Sequence, residues 1–238
     1  MNIPDGTIDF KRVGSRLYIE INHPRYKNAL TPSMVKSLRS VKKHIDSNTD
    51  LVVIQSKEKF FCSGYHLQWM EKEAKFPLWK NFLYAFSLAR ALYTLARLPV
   101  MTIAYVEGGA LGAGLGIASC CDIIVGHPDA IWGCPEIKRG IFPFVISPYL
   151  KYKDPFFMNF LCSSDFLSTD QLFKRGFVNY VTNDLSTYLE KNFSSDLFLK
   201  SFQKFKKRWI LSTHYFLHSV IFSSLFLALN RKKLYESQ

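Results

Sequence analysis

One glycine-rich stretch, residues 106–143, contains the residue types needed to hold a negatively charged oxygen and to move a proton beside it. Glycine occurs at positions 108, 109, 112, 114 and 116, where the backbone can approach a ligand closely because no side chain intervenes. The apolar residues from 111 to 118 predict the start of a helix, whose first N–H groups lack partners inside the helix. Glu136 follows on the same stretch. The pattern therefore predicts a backbone anion hole that faces one acid/base residue.

Glu136 also has an ordinary interpretation, as a surface glutamate paired with Lys138 or Arg139. Several other chemical motifs are absent from the sequence. The glycines at 112, 114 and 116 are followed by Ile117, so they do not form the dinucleotide fingerprint. No acidic residue about twenty residues on lies at the end of a second strand, as ribose recognition would need. The sequence contains neither a phosphate-binding GxxxxGK[ST] loop nor a GxSxG nucleophile motif.

The composition limits the classes of partner. A chain of 238 residues with 48% hydrophobic residues is long enough for one large domain, or for one domain with an appendage. The net charge of +12 favours an anionic partner such as nucleic acid, anionic lipid or a phosphorylated ligand, although a basic, solvated surface explains it equally well. Because no DNA- or RNA-binding motif organises the basic residues, we expect no nucleic-acid partner.

The cysteines indicate a reducing compartment. None of the five forms a CxxC or CxxH pair, which argues against a metal site and predicts free, buried thiols (Cys62, Cys120, Cys121, Cys134 and Cys162). The N-terminus shows no basic region followed by an apolar core, so no secretory signal is visible. We therefore expect a cytoplasmic protein that binds no metal.

The order of predicted elements indicates an α/β fold. Alternating residues predict a hairpin over 7–20, and apolar runs predict buried strands over 51–55 and 100–106. Shorter strands are predicted over 123–125, 130–132 and 177–181. A helix capped by Thr31 is predicted to bury Met34, Val35, Leu38, Val41 and Ile45, and further helices are predicted over 78–98 and 167–175. This succession of strands and helices is typical of α/β proteins.

The C-terminal region differs in composition from residue 194 onward, where the chain becomes basic and aromatic. Residues 209–229 carry no formal charge and would be long enough to span a bilayer. Seven serine, threonine and histidine residues interrupt them, which makes membrane insertion the less favoured interpretation. A helix in a subunit interface is the favoured one.

Two segments together resemble the crotonase superfamily, the enoyl-CoA hydratases and isomerases. They are FCSGYHLQWM at residues 61–70 and the stretch 106–148, which contains GGALGAGLG and PEIKRGIFP. NHPRYKNAL at 22–30 and LSTDQLFKRGFVNYV at 167–181 match further parts of the family pattern. The details GLGIASCCDI and IFPFVISPYL look most like the methylglutaconyl-CoA hydratase branch.

The resemblance implies a crotonase-like spiral of ββα units followed by a C-terminal helical oligomerisation region. The acyl-CoA-binding core would cover residues 1–193 and the oligomerisation region residues 194–238. The family commonly assembles as a trimer or a dimer of trimers, so the same state is expected here. Coenzyme A would enter as part of the substrate rather than as a resident cofactor, and an acyl-carrier protein is the alternative carrier.

The resemblance also assigns roles to residues. In the family, two backbone N–H groups polarise the thioester carbonyl, and by position these belong to Tyr65 and Ala113. Glu136 falls on a position that holds a catalytic acid/base. The residues expected to contact the coenzyme A portion or the thioester are Lys27, Ala29, Ser63, Tyr65, His66, Leu67, Gln68 and Ala113.

Three positions depart from the usual pattern. Gly116 replaces a second glutamate found in the best-known hydratases, His66 replaces an aspartate, and Ala113 replaces the middle glycine of a triplet. Hydration or dehydration of a methylglutaconyl-type thioester is the favoured activity. Double-bond isomerisation, a carrier-protein-bound dehydratase or decarboxylase reaction in polyketide assembly, and binding of coenzyme A without turnover remain open alternatives.

Overall fold

In the computed structural model of the chain, which describes residues 5–154, 165–193 and 199, two β-sheets pack with helices into an α/β fold. The strands are β1 (Thr7–Val13), β2 (Arg16–Asn22), β3 (Leu51–Ser56), β4 (Met101–Val106), β5 (Gly109–Leu111), β6 (Ile123–Gly126), β7 (Ile131–Gly133), β8 (Leu167–Ser168) and β9 (Tyr180–Val181). The helices are α1 (Pro32–Arg39), α2 (Leu67–Ala74), α3 (Leu78–Ala96), α4 (Ala113–Ser119), α5 (Ser147–Lys153), α6 (Thr169–Lys174) and α7 (Leu185–Asn192). The predicted α/β class is confirmed.

The larger sheet has the strand order β1-β2-β3-β4-β6-β9. Its first pair is the predicted hairpin, which is antiparallel, and the following pairs are parallel. Every residue of β4 is buried, which agrees with its continuous apolar run. Alternate residues of β3 enter two different core clusters, so helices and loops cover both faces of this sheet.

The smaller sheet, β5-β7-β8, positions the glycine-rich stretch. Strand β5 pairs in parallel with β7, and a single β-bridge joins Cys62 to Ala110. A second bridge joins Leu30 to Tyr65. These two bridges bring three loops together, around residues 28–30, 61–66 and 110–113.

Several predicted boundaries differ from those observed. The helix expected over 31–45 ends at Arg39 and is followed by a 3-10 turn over Val41–His44, although Thr31 caps it as predicted. The helix expected over 167–175 is preceded by strand β8, because Ser168 and Gln171 form a capping box that starts α6 only at Thr169. The last strand is reduced to Tyr180–Val181. Strand β5 and helices α2, α5 and α7 were not predicted from the residue pattern.

The C-terminal predictions fall almost entirely outside the described residues. Of the proposed oligomerisation region, only Leu199 is described, and it is buried in the smaller core cluster. The candidate membrane segment at 209–229 also lies outside. None of the helices that the structure describes has the length and apolar character needed to cross a bilayer.

Gly116 on α4 offers a test of how tightly α4 packs against the start of α5. A Cβ atom at this position would lie 2.4 Å from Cγ2 of Ile146, so the two groups would overlap. We expect Gly116→Ala to lower the free energy of unfolding by about 1–3 kcal/mol through overpacking, although alanine has the higher helix propensity. Urea denaturation followed by circular dichroism measures this change.

Ile146→Ala provides the matched partner for a double-mutant cycle, because it removes the atom that the new Cβ would meet. In the double variant, the cost of Gly116→Ala should largely disappear. Strictly additive costs of the two substitutions would contradict this packing account.

Candidate active site

A cavity of about 540 Å³ opens among the three loops that the β-bridges bring together. Its walls come from the loop before α2, from α2 and α3, from the turn before α4, and from residues 135–146. Most of the lining side chains are apolar or aromatic. The titratable side chains on the wall are Tyr26, Tyr65, His66, Glu73, Tyr84, Glu136 and Arg139.

The backbone N–H of Tyr65 is left without a partner by the bridge to Leu30. In this parallel bridge, Leu30 N–H donates to Gly64 O at 2.8 Å and His66 N–H donates to Leu30 O at 2.9 Å. The bridge therefore uses the groups on either side of Tyr65. Among the described residues, no acceptor receives the Tyr65 N–H itself, so this donor is available to a ligand.

The N–H of Ala113 is the second available donor. Ala113 is the first residue of α4, so the helix supplies no acceptor for it, and no other described group does so. Gly64, which precedes Tyr65, lies directly against this amide: a Cβ atom on Gly64 would be 3.6 Å from Ala113 N. The two unpaired N–H groups thus belong to backbone segments in contact.

Gly112 brings Glu136 to the same place. A Cβ atom on Gly112 would lie 3.0 Å from both carboxylate oxygens of Glu136. Gly112 also has φ +49°, a conformation that favours glycine, so both its backbone angle and its surroundings demand this residue type. The carboxylate therefore packs against the residue that precedes the Ala113 amide.

The surroundings of Glu136 differ from those of a surface glutamate. Lys138 and Arg139 are exposed, and within the described part of the chain neither forms an ion pair with Glu136. Burial at the cavity wall raises the pKa of Glu136 from its ordinary value of 4.5 to about 7. A carboxyl group with this pKa exchanges protons near neutral pH.

The best-known hydratases have a second glutamate at the position of Gly116. Here the Ile146 side chain occupies the space beside Gly116. Ile146 packs against Gly116 so closely that even a methyl group would overlap with it. Both residues are buried, and Ile146 lines the cavity. A glutamate at position 116 would have no room in this arrangement, so Glu136 has no carboxylate neighbour from α4.

Eight of the nine predicted site residues line the cavity, and Lys27 does not. The eight are Ala29, Ser63, Tyr65, His66, Leu67, Gln68, Ala113 and Glu136. Lys27 lies beside the cavity: its carbonyl accepts the Ser63 N–H at 3.0 Å, and its ammonium lies 5.7 Å from the centre of the Phe60 ring. The roles assigned to these residues stay predictions.

His66 occupies the N-cap position of α2 but makes no side-chain capping bond. Its ring stacks on His23 at 5.6 Å between centroids and meets Tyr26 edge-on. Burial and the neighbouring His23 lower the pKa of His66, which favours the neutral ring. The expected aspartate is thus replaced by an aromatic contact rather than by another cap.

Sequence reasoning missed Glu73, a second buried carboxylate on the cavity wall. The Tyr65 hydroxyl donates to Glu73 Oε1 at 2.5 Å. Burial raises the pKa of Glu73 from 4.5 to about 7, against the opposing effect of this hydrogen bond. The available signal was its spacing, since Leu67, Met70 and Glu73 recur every three residues and lie on one face of α2.

The cysteines near the cavity do not supply a nucleophile. The four described cysteines are free and buried, as predicted for these four, and Cys162 lies outside the described residues. Burial raises the pKa of the Cys62 thiol to about 12 and also raises that of Cys134. Because the thiolate is the reactive form, neither thiol is activated here.

Comparison with known proteins identifies the fold and the family. The family model described as Enoyl-CoA hydratase/isomerase matches residues 13–191. The enoyl-CoA isomerase/hydratase claC of Penicillium crustosum is 37% identical over 143 residues, which are 57% of this chain and 16% of that protein. A Dictyostelium discoideum protein named "Probable enoyl-CoA hydratase, mitochondrial" is 32% identical over 127 residues, which are 52% of this chain and 44% of that protein. The matches thus span about half or less of these relatives.

Solved structures share this fold. An enoyl-CoA hydratase/isomerase from Mycobacterium paratuberculosis superimposes with a TM-score of 0.81 at 15% identity, covering 96% of this chain and 97% of that one. A Bacillus subtilis protein described as a polyketide biosynthesis enoyl-CoA hydratase gives a TM-score of 0.78 at 17% identity and covers 97% of both chains. The predicted crotonase-like fold is therefore confirmed for the described core.

The raised pKa of Glu136 makes a prediction about stability. The folded state binds this proton more tightly than the unfolded chain, so stability is lost as pH rises from about 4.5 through about 7. Glu136→Gln removes this dependence. The free energy of unfolding of the variant, relative to that of the wild type, should therefore be higher at pH 8.5 than at pH 4.5, by on the order of 2 kcal/mol. Urea unfolding at the two pH values measures the difference.

Asp170→Asn is the matched control, since this exposed carboxylate on α6 pairs with Lys174 at the surface. It should leave the pH dependence nearly unchanged. An equal response of the two variants would show that Glu136 titrates as an ordinary exposed carboxyl.

Proposed function

Because the chain belongs to the enoyl-CoA hydratase/isomerase family, we propose that it converts an enoyl thioester through an enolate held in the cavity. The observation that carries this proposal is the convergence of two unpaired N–H groups, of Tyr65 and Ala113, with the carboxylate of Glu136. The thioester oxygen accepts both N–H groups. Glu136 exchanges a proton with the carbon chain beside the thioester or with the attacking water.

The two donors favour the enolate over the neutral thioester. Negative charge develops on the carbonyl oxygen during the reaction, and donors fixed in the backbone need no rearrangement to receive it. The β-bridge between Cys62 and Ala110, with its hydrogen bond from Leu111 N–H to Cys62 O, holds both segments in place. Loss of one such donor typically raises the barrier by about 3–4 kcal/mol.

Glu136 suits proton transfer for two reasons. Its carboxylate meets no cation among the described residues, so it is not neutralised by an ion pair. Its pKa of about 7 makes both protonation states available at neutral pH. The same group can therefore accept a proton in one direction of the reaction and return it in the other.

Hydration or dehydration of a methylglutaconyl-type thioester is the favoured activity within this class. Such an acyl chain carries a second carboxylate, and Arg139 on the cavity wall supplies a matching cation. No described residue forms an ion pair with Arg139. The Arg139 guanidinium could therefore form a charge-assisted hydrogen bond with the second carboxylate of the substrate.

Double-bond isomerisation is the second candidate. The packing of Ile146 on Gly116 favours it, because Glu136 then acts without a carboxylate from α4. Isomerisation from a 3-enoyl to a 2-enoyl thioester needs one proton removed at C2 and one returned at C4, which one base can perform in succession. A carrier-protein-bound substrate in polyketide assembly requires the same enolate chemistry.

The carrier is proposed to be anionic. Coenzyme A and acyl-carrier protein are both negatively charged, and the chain carries a net charge of +12. Lys27 lies next to the Ser63 wall of the cavity, where its ammonium would meet the nucleotide end. A trimer or a dimer of trimers is the proposed assembly.

Glu136→Gln tests the proposed reaction. The loss of conjugated-thioester absorbance from crotonyl-CoA and methylglutaconyl-CoA measures hydration, and 3-hexenoyl-CoA measures isomerisation by a gain of the same absorbance. The substitution should reduce the rate of whichever reaction the wild type performs, hydration or isomerisation, by about 100-fold or more, since it removes the general acid/base. Substrate binding, measured by calorimetry, should be retained.

Retained activity in Glu136→Gln would contradict the role of this carboxylate. Binding without turnover of any of the three substrates by the wild-type protein would instead favour a non-catalytic family member.

Arg139→Met tests the acyl chain. It should raise KM for methylglutaconyl-CoA by about 10-fold or more, because a charge-assisted contact is lost, and should leave crotonyl-CoA unchanged. Lys138→Met is the matched control, since Lys138 precedes Arg139 but does not line the cavity. Equal effects of Arg139→Met on both substrates would refute recognition of a second carboxylate.

A further inference from the structure

The hydrogen-bonded pair of Glu73 and Tyr65 lies in the cavity without a structural explanation. Glu73 is only 6% exposed, and no lysine, arginine or histidine of the described residues forms an ion pair with it. An isolated buried carboxylate is costly unless it is hydrogen-bonded or protonated. Its hydrogen-bond partner is the Tyr65 hydroxyl, at 2.5 Å.

Tyr65 connects this carboxylate to the proposed reaction. Its backbone N–H is one of the two donors to the thioester oxygen, and its side chain leads from that point to Glu73. Burial and the negative charge of Glu73 raise the pKa of the Tyr65 hydroxyl well above its ordinary value. The phenol therefore keeps its proton and passes protons on rather than ionising.

The pair can relay a proton in either direction. When Glu73 is ionised, the Tyr65 hydroxyl donates to it and offers its own oxygen lone pair to the cavity. When Glu73 is protonated, its O–H donates to Tyr65, and the phenolic O–H is free to donate into the cavity. The pKa of Glu73, about 7, makes both states accessible near neutral pH.

Polar groups from α3 complete this part of the wall. Asn81 is 2% exposed, and its buried Oδ1 has no hydrogen-bond partner among the described residues. Burial and the nearby negative charge of Glu73 raise the pKa of Tyr84. Both residues line the cavity. Asn81 Oδ1 thus adds an unpaired hydrogen-bond acceptor to the same cavity wall.

Resting on the proposed function, we propose that Glu73, acting through the Tyr65 hydroxyl, is the second acid/base of the reaction. In hydration, the water oxygen bonds to C3 while C2 receives a proton from protonated Glu136. The water gives up one proton to Tyr65 Oη, which transfers its own proton to ionised Glu73. Solvent later returns a proton from Glu73 to Glu136, so the sum is addition of one water.

Glu73 would provide the second acid/base group, which a glycine at position 116 cannot provide. Hydration needs a proton donor and a proton acceptor in the same turnover, and Ile146 occupies the space in which a side chain from residue 116 would supply one of them. Glu73 reaches the cavity from α2 instead. Glu136 and Glu73 then act at different atoms of the substrate, C2 and the attacking water.

Two reactions distinguish the role of Glu73 from that of Glu136. Exchange of the C2 protons of butyryl-CoA with deuterated water requires only the two N–H groups and Glu136. Hydration of crotonyl-CoA requires the second group as well. We expect Glu73→Gln to reduce hydration by about 100-fold or more while exchange stays within about 3-fold of wild type, and we expect Tyr65→Phe to reduce hydration as well. Retained exchange also shows that the variants are folded.

Glu71→Gln is the matched control, because Glu71 is on the same helix but does not line the cavity. It should leave both reactions unchanged. Glu73→Gln that hydrates at the wild-type rate, or that loses exchange and hydration equally, overturns the proposal, as does a wild type that exchanges without hydrating. A wild type that performs neither reaction refutes the proposed function itself, and the role of Glu73 with it.

Discussion

The unpaired backbone N–H groups of Tyr65 and Ala113 are the constraint on which the rest of the site depends. A backbone donor without a partner is costly in a protein interior, so such groups persist only where the surrounding fold holds them open. Here the Leu30–Tyr65 bridge uses the groups flanking the first donor, and the start of α4 provides the second. The glycines at 64 and 112 let the two segments and the Glu136 carboxylate approach each other.

The cavity wall contains two buried carboxyl groups. Glu136 and Glu73 lie on different elements of the wall, and both have a pKa raised to about 7 because they are removed from water. Neither is neutralised by a cation in the described part of the chain. The fold thus gives up stability at alkaline pH to keep two proton-exchanging groups in an apolar space, a cost that a purely structural role would not require.

The sequence predicts those features that depend on local spacing, and misses those that depend on tertiary contact. The hairpin, the α/β class and the glycine-rich stretch follow from periodicity and residue type, and the family motifs point to Tyr65, Ala113 and Glu136. By contrast, the burial of Glu73 and its hydrogen bond to Tyr65 appear only in the folded chain, and the reason for Gly116 appears only with Ile146 beside it. Strand β5 was missed because three residues of a glycine-rich run carry too little pattern.

The central claim is that the cavity polarises a thioester carbonyl through two backbone donors. Infrared difference spectroscopy of bound hexadienoyl-CoA, carrying ¹³C at the thioester carbonyl, measures this directly. If the two donors polarise the carbonyl, its stretch moves to lower frequency on binding, and it does so in Glu136→Gln as well, since the donors belong to the backbone. A bound thioester whose carbonyl frequency equals that in water would show that the two N–H groups do not polarise it.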